Sequence, residues 1–142
     1  MEQGYIDWHH GRTWYQTYGD FDPQAAKTPV VVLHGGPGAG SDYTWPIAEL
    51  LEQTGRGAVV YDQIGCGRST HLPDAPSDFW TVQLFKDELQ TVLDHFGIGG
   101  RYVLVGQSWG GMLAMDWARD PRAGLVALGI CDSPSSMELW VQ

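Results

Sequence analysis

The sequence predicts an α/β fold, a doubly wound and mostly parallel sheet that begins with an antiparallel hairpin. Two observations carry that expectation. The runs Val30 to Leu33, Ala58 to Tyr61, Tyr102 to Val105 and Leu125 to Ile130 are apolar throughout rather than alternating, as suits parallel strands buried on both faces. Segments with helical spacing separate them, and strand alternating with helix gives right-handed crossovers whose ligands lie beyond the strands' carboxyl ends.

Taken in order, Gly4 to Trp8 and Arg12 to Tyr18 are rich in aromatics and flank His9, His10 and Gly11, which makes them the opening hairpin with the histidines as turn residues. A loop at Asp22 and Pro23 leads to the first apolar run. The first helix starts near Ser41 or Asp42 and covers Ile47 to Leu51; Pro46 fits because early helix amides have no internal acceptor. After the second run, a helix from about Thr81 to Phe96 places Val82, Phe85, Leu89, Val92, Leu93 and Phe96 on one face, with Gly97 as its stop. Met112 to Arg119 is the next helix, ended by Asp120 and Pro121. Leu125 to Ile130 asks for strand neighbours on both sides, and its outer edge is expected to be adhesive if left open.

Composition narrows the function classes. The 142 residues fit one domain, and 43% apolar content with seven Trp supports a real core. Seventeen acidic residues against eight basic ones give a net charge of -9, which repels polyphosphate and anionic lipid, so neither nucleic acid nor membrane is an expected partner. Cys66 and Cys131 show no metal-ligand spacing and read as free thiols of a reducing compartment. The start lacks a signal-peptide pattern and no run of about 18 apolar residues occurs, so a cytoplasmic location is expected. Neither metal nor cofactor is called for.

The chemistry concentrates at Val103 to Leu113, where an apolar strand breaks on glycine, presents one serine and turns into small residues. The pattern G-x-S-x-G, Gly106 to Gly110, sits between a strand and a helix, the setting of a sharp turn that lifts a serine nucleophile off a sheet edge. A serine that attacks a carbonyl also needs donors aimed at the developing oxyanion. The backbone amide of Trp109 is one. The loop after the first buried strand, HGGPG at His34 to Gly38, supplies the second, because its glycines let the backbone approach closely.

HGGPG, then DQIGCGRS at Asp62 to Ser69, then GQSWGG resemble, in that order and at those separations, the proline iminopeptidase family of alpha/beta-hydrolases. The resemblance spans nearly the whole chain. It implies Ser108 as nucleophile, an oxyanion hole lined by the backbones of Gly36 and Trp109, and Gly35, Gly36 and Trp109 against the substrate. It further implies removal of an amino-terminal residue, often proline, from small peptides, or hydrolysis of amino-acid amides, without metal. Ile64 and Gln107 stand where many members carry arginine and glycine, which makes the chain resemble more closely a branch that includes amino-acid amidases and related iminopeptidases. Asp62 to Ser69 reads as a structural turn with Arg68 paired to a carboxylate, Cys66 as a buried unreactive thiol, and Trp80 and Trp109 as residues available to line a pocket.

In this fold the acid and the histidine follow the nucleophile, yet His9, His10, His34, His71 and His95 all precede Ser108. His34 is expected to shape the oxyanion loop, His71 to lie in a proline-containing loop and His95 on the polar side of a helix. Asp132 follows the fourth run but reads as an ordinary strand-end residue, since the resemblance places the acid after a later strand and a helical cap. These observations lead to the expectation that residues 1–142 are the amino-terminal part of a single hydrolase domain. Alone it should be nearly inert, and completed by a further segment or self-associated through the open sheet edge. An esterase or lactonase and a non-catalytic relative are the alternatives.

Overall fold

Among the described residues there are six strands: β1 (Glu2–Trp8), β2 (Gly11–Tyr18), β3 (Val30–Leu33), β4 (Ala58–Tyr61), β5 (Tyr102–Gln107) and β6 (Leu125–Cys131). They form one sheet in the order β1-β2-β4-β3-β5-β6. β1 and β2 are the expected hairpin, β2 runs antiparallel to β4, and β4, β3, β5 and β6 are mutually parallel. The computed structural model describes residues 1–22 and 24–141, so Pro23 of the expected loop lies outside the described residues.

The uniform apolar runs are explained by helices on both faces. On one side Val30, Val32 and Val60 pack with Ala48 and Leu51 of α1 (Trp45–Gln53). On the other, Val31, Leu33, Val59 and Leu104 meet α2 (Val82–His95) and α3 (Trp109–Ala118). Successive strand side chains point to opposite faces, so every residue of β3 and β4 is buried. Pro46 lies in the first turn of α1, and the Thr81 hydroxyl caps α2 by accepting the Leu84 amide at 3.1 Å. The central pair β3 and β5 therefore has fixed carboxyl ends, from which the loops bearing the motifs emerge.

Two expectations need correction. The helix placed at Met112 begins at Trp109, immediately after the serine, because Gly110 and Gly111, which follow the sharp turn, already belong to its first turn. The fourth run was expected to be buried on both faces, but in β6 Val126, Leu128 and Ile130 are exposed. The reason is positional: β6 is the edge strand of the described sheet, and among the described residues no helix covers the β5–β6 face opposite α3.

Candidate active site

At the end of β5, Ser108 has φ 54° and ψ −119°, outside the ordinary regions for a side-chain-bearing residue. Such a conformation costs about 1–3 kcal/mol and persists only where its surroundings over-determine it. Here the Ser108 amide donates to the Cys131 carbonyl at 2.9 Å, and its carbonyl accepts from Gly111 at 3.0 Å and Met112 at 3.1 Å. The glycines are required by close approach. A Cβ on Gly106 would stand 2.3 Å from the Gly110 carbonyl oxygen, and one on Gly110 would stand 2.1 Å from that of Leu33. Strand and helix thus cross at a separation only glycine permits, and Ser108 sits at the amino terminus of α3, where peptide dipoles favour negative charge.

The glycine loop is fastened opposite. His34 is fully buried; its Nε2 accepts the Gln63 amide at 2.9 Å, so Nδ1 carries the proton and donates to the Gly35 carbonyl at 2.8 Å. Burial lowers the affinity of this ring for a second proton, outweighing the Gly35 carbonyl and the Asp62 charge that favour it. His34 is a neutral strut. The Gln63 side chain donates to the His34 carbonyl at 2.9 Å and accepts the Trp109 indole N–H at 2.9 Å, joining the loop to the first residue of α3. Gly35 donates its amide to the Tyr43 hydroxyl, which donates to Gln107 Oε1 at 2.6 Å. A Cβ on Gly35 would lie 3.0 Å from the Ser108 Cβ, so this backbone faces the serine. The amides of Gly36 and Trp109 have no acceptor among the described residues.

The segment Asp62 to Ser69 is a structural turn organised by Asp62. Its buried carboxylate accepts the Ser41 amide and hydroxyl, both at 2.7 Å, the Arg68 amide at 2.8 Å and the Arg68 guanidinium at 3.2 Å. Burial alone would raise this carboxyl; those donors outweigh it and hold it below its ordinary value. Arg68 also pairs with Asp42 at 2.7 Å and lies over the Trp14 ring, as its expected carboxylate partnership required. Beneath the turn, fully buried Glu88 of α2 accepts the Ile64 amide at 2.9 Å and the Thr13 hydroxyl. Burial pushes its carboxyl up to about 8, with the Asp62 charge adding to the rise. Burial likewise pushes the Cys66 thiol up to about 12, which makes it unreactive.

No histidine nitrogen hydrogen-bonds Ser108 among the described residues. His71 Nε2 lies 2.9 Å from the Gly67 carbonyl, His9 and His10 pack edge to face at the hairpin tip, and His95 packs against Tyr15 and Phe96. Asp132 follows β6 with φ 48°, and next to it Ser133 donates its hydroxyl to the Cys131 carbonyl at 2.9 Å. Sequence reasoning missed Gln63, Tyr43 and Glu88. Only Glu88 left a signal, a carboxylate three residues after Phe85 and four before Val92 on the apolar stripe of α2.

Comparison with known proteins agrees with the fold. A family described as alpha/beta hydrolase fold matches residues 28–142. The proline iminopeptidase of Lactiplantibacillus plantarum is 41% identical over 132 residues, 92% of this chain and 44% of the relative. The crystal structure of Mycobacterium smegmatis proline iminopeptidase matches at 49% identity with a TM-score of 0.90, covering 98% of this chain and 46% of that one. VinJ matches at 48% identity with a TM-score of 0.94, covering 99% and 47%. The chain therefore spans a little under half the length of these relatives. Among the described residues no helix is long and apolar enough to cross a membrane.

Proposed function

We propose a function from one premise: the chain belongs to the alpha/beta hydrolase fold family. It is part of a serine hydrolase of the proline iminopeptidase type, which removes an amino-terminal residue from a small peptide or hydrolyses an amino-acid amide. Similarity to proline iminopeptidases supports the substrate class. The observation that carries the chemistry is the backbone of Ser108, held at positive φ between a strand and a helix and facing the Gly35 backbone.

In this proposal Ser108 Oγ bonds to the carbonyl carbon while its proton passes to a general base. The Gly36 and Trp109 amides hold the oxyanion, and Gly35, whose own amide is occupied by Tyr43, contributes only close backbone approach. The C–N bond breaks as the base returns the proton to the leaving amine. Water then hydrolyses the acyl-serine ester along the same route. Since none of the five histidines here reaches Ser108 among the described residues, we assign the base to a histidine outside residues 1–142. This chain alone is then expected to show at most slow turnover, because serine without a base is a feeble nucleophile.

Prolonged incubation with a fluorophosphonate, followed by mass spectrometry of the digest, tests the nucleophile. Phosphonylation at Ser108 should exceed that at any other serine at least tenfold and vanish in S108A. Equal labelling of the surface serines would remove Ser108 from the role.

A further inference from the structure

Beside the serine lies a cavity of about 400 Å³ that the chemistry above does not use. Its walls come from four segments that the fold brings to one place: Pro37 in the glycine loop, Ile64 in the Asp62 turn, Trp80, Val82 and Phe85 just before and at the start of α2, and Trp109 of α3. Pro37 follows Gly36 in the chain, and Trp109 is the other residue whose amide is free, so the cavity adjoins both candidate oxyanion donors. Among the described residues its polar side-chain groups are the Thr81 hydroxyl, engaged in capping α2, and the indole N–H groups of Trp80 and Trp109, the latter bonded to Gln63. No charged side chain lines it.

The outer wall is a built feature. Trp80 remains 38% exposed and Val82 41%, so neither is held in the core. The Trp80 indole lies against Gly65, where a Cβ would meet the ring at 2.6 Å. Phe79 packs edge to face on it at 5.1 Å, and His10 from the hairpin tip packs on Phe79 at 5.1 Å. Across the cavity Phe85 and Trp109 meet edge to face at 5.5 Å. Rings with fixed orientation on two sides offer flat apolar surface at little ordering cost.

We propose that this cavity is the specificity subsite for an uncharged, apolar part of the substrate flanking the scissile carbonyl, a ring or branched hydrocarbon group, with Trp80 as the residue that sets its size. A charged group there would lose its hydration with nothing to replace it. The proposal rests on the serine hydrolase function for what that group is attached to, but binding of the group does not require the serine oxygen.

The test is protein-observed NMR titration of the chain with 2-naphthamide, against 2-naphthoate and 2-naphthylmethylammonium as charged counterparts of the same shape. The neutral probe should shift the Gly65 amide and the Trp80 and Trp109 indole signals, and bind at least about fivefold more tightly than either ion. W80A should weaken it about fivefold or more, and S108A should leave it unchanged. If W80A does not fold, Trp80→Phe keeps an aromatic ring against Phe79 and should give a smaller weakening in the same direction. Equal binding of the ions, shifts confined to other surfaces, or W80A affinity within twofold overturns the subsite. Preferential phosphonylation of Ser108 is scored separately, so either idea can fail while the other stands.

Discussion

Replacing Glu88 by Gln should abolish a pH dependence of stability that the buried carboxylate imposes on the native protein. Glu88 is fully buried, and its hydrogen bonds to the Ile64 amide and the Thr13 hydroxyl do not compensate for lost hydration, so its carboxyl rises from 4.5 to about 8. The raised value means that the folded state binds more protons than the unfolded state between those limits, so stability falls as pH rises through that window. Worked through the linkage relation, the loss between pH 5 and pH 8 is about 3–4 kcal/mol, a large share of a typical domain's stability. Two other buried groups act differently. Asp62, held below its ordinary value, contributes stability that disappears only at more acid pH as it protonates. His34, kept neutral by burial, makes stability rise with pH up to its unfolded value near 6.5, opposing Glu88. Urea denaturation of both proteins at pH 5, 6, 7 and 8 separates these terms, because the His34 contribution cancels in the difference. E88Q should become progressively more stable relative to the native protein as pH rises, the difference growing by about 3–4 kcal/mol over the range. A difference constant within about 1 kcal/mol would refute the claim that Glu88 is buried without an adequate counter-charge.

Gly110→Ala places a methyl against the Leu33 carbonyl oxygen, 2.1 Å from the ideal Cβ, and should cost about 2–4 kcal/mol by denaturation, since β3 and α3 must separate to admit it. Gln63→Leu leaves the buried His34 carbonyl and the half-buried Trp109 indole N–H without their partner and should cost about 1–3 kcal/mol, mostly from the carbonyl, with a shift of tryptophan emission reporting the freed indole.

Much of this fold is legible in the sequence because local and tertiary preferences agree there. Val30 to Leu33 and Ala58 to Tyr61 are apolar at every position because helices cover both faces, and Thr81 announces its helix by the hydroxyl that caps it. Where they disagree, the reading slips. Trp109, Gly110 and Gly111 have poor helix-starting character on their own, yet Ser108 and the close crossing over Leu33 make them the first turn of α3. Leu125 to Ile130 is apolar enough for a sheet interior but lies at the described edge, and no residue within the run records its neighbours. The serine and the glycine loop were legible as separate motifs. Their connection was not, because Gln63 and Tyr43 act across gaps of 46 and 64 residues, to Trp109 and Gln107 respectively, and nothing in local spacing marks such partners.

In the proposed reaction that hidden connection bears on the oxyanion amides as well as on stability. An oxyanion hole works only if its donors are fixed before charge develops, since reorganising them during reaction would consume the stabilisation they provide. The two candidate amides belong to different segments, Gly36 on the loop after β3 and Trp109 at the start of α3, and each could drift on its own. Gln63 spans them, bonded to the carbonyl of His34 on one side and to the indole of Trp109 on the other, while its own backbone amide holds the neutral His34 ring. Gln63 itself follows Asp62, which is pinned by Ser41 and Arg68. In the proposed site the turn after β4 is therefore the clamp that sets the spacing between the two candidate amides. It follows that Asp62→Asn, though remote from any reacting atom, should disturb the Trp109 indole resonance more than Asp42→Asn does, because Asp42 meets Arg68 only at the exposed end of the same network. Equal shifts in the two variants would show that Arg68, rather than the buried carboxylate, holds the turn.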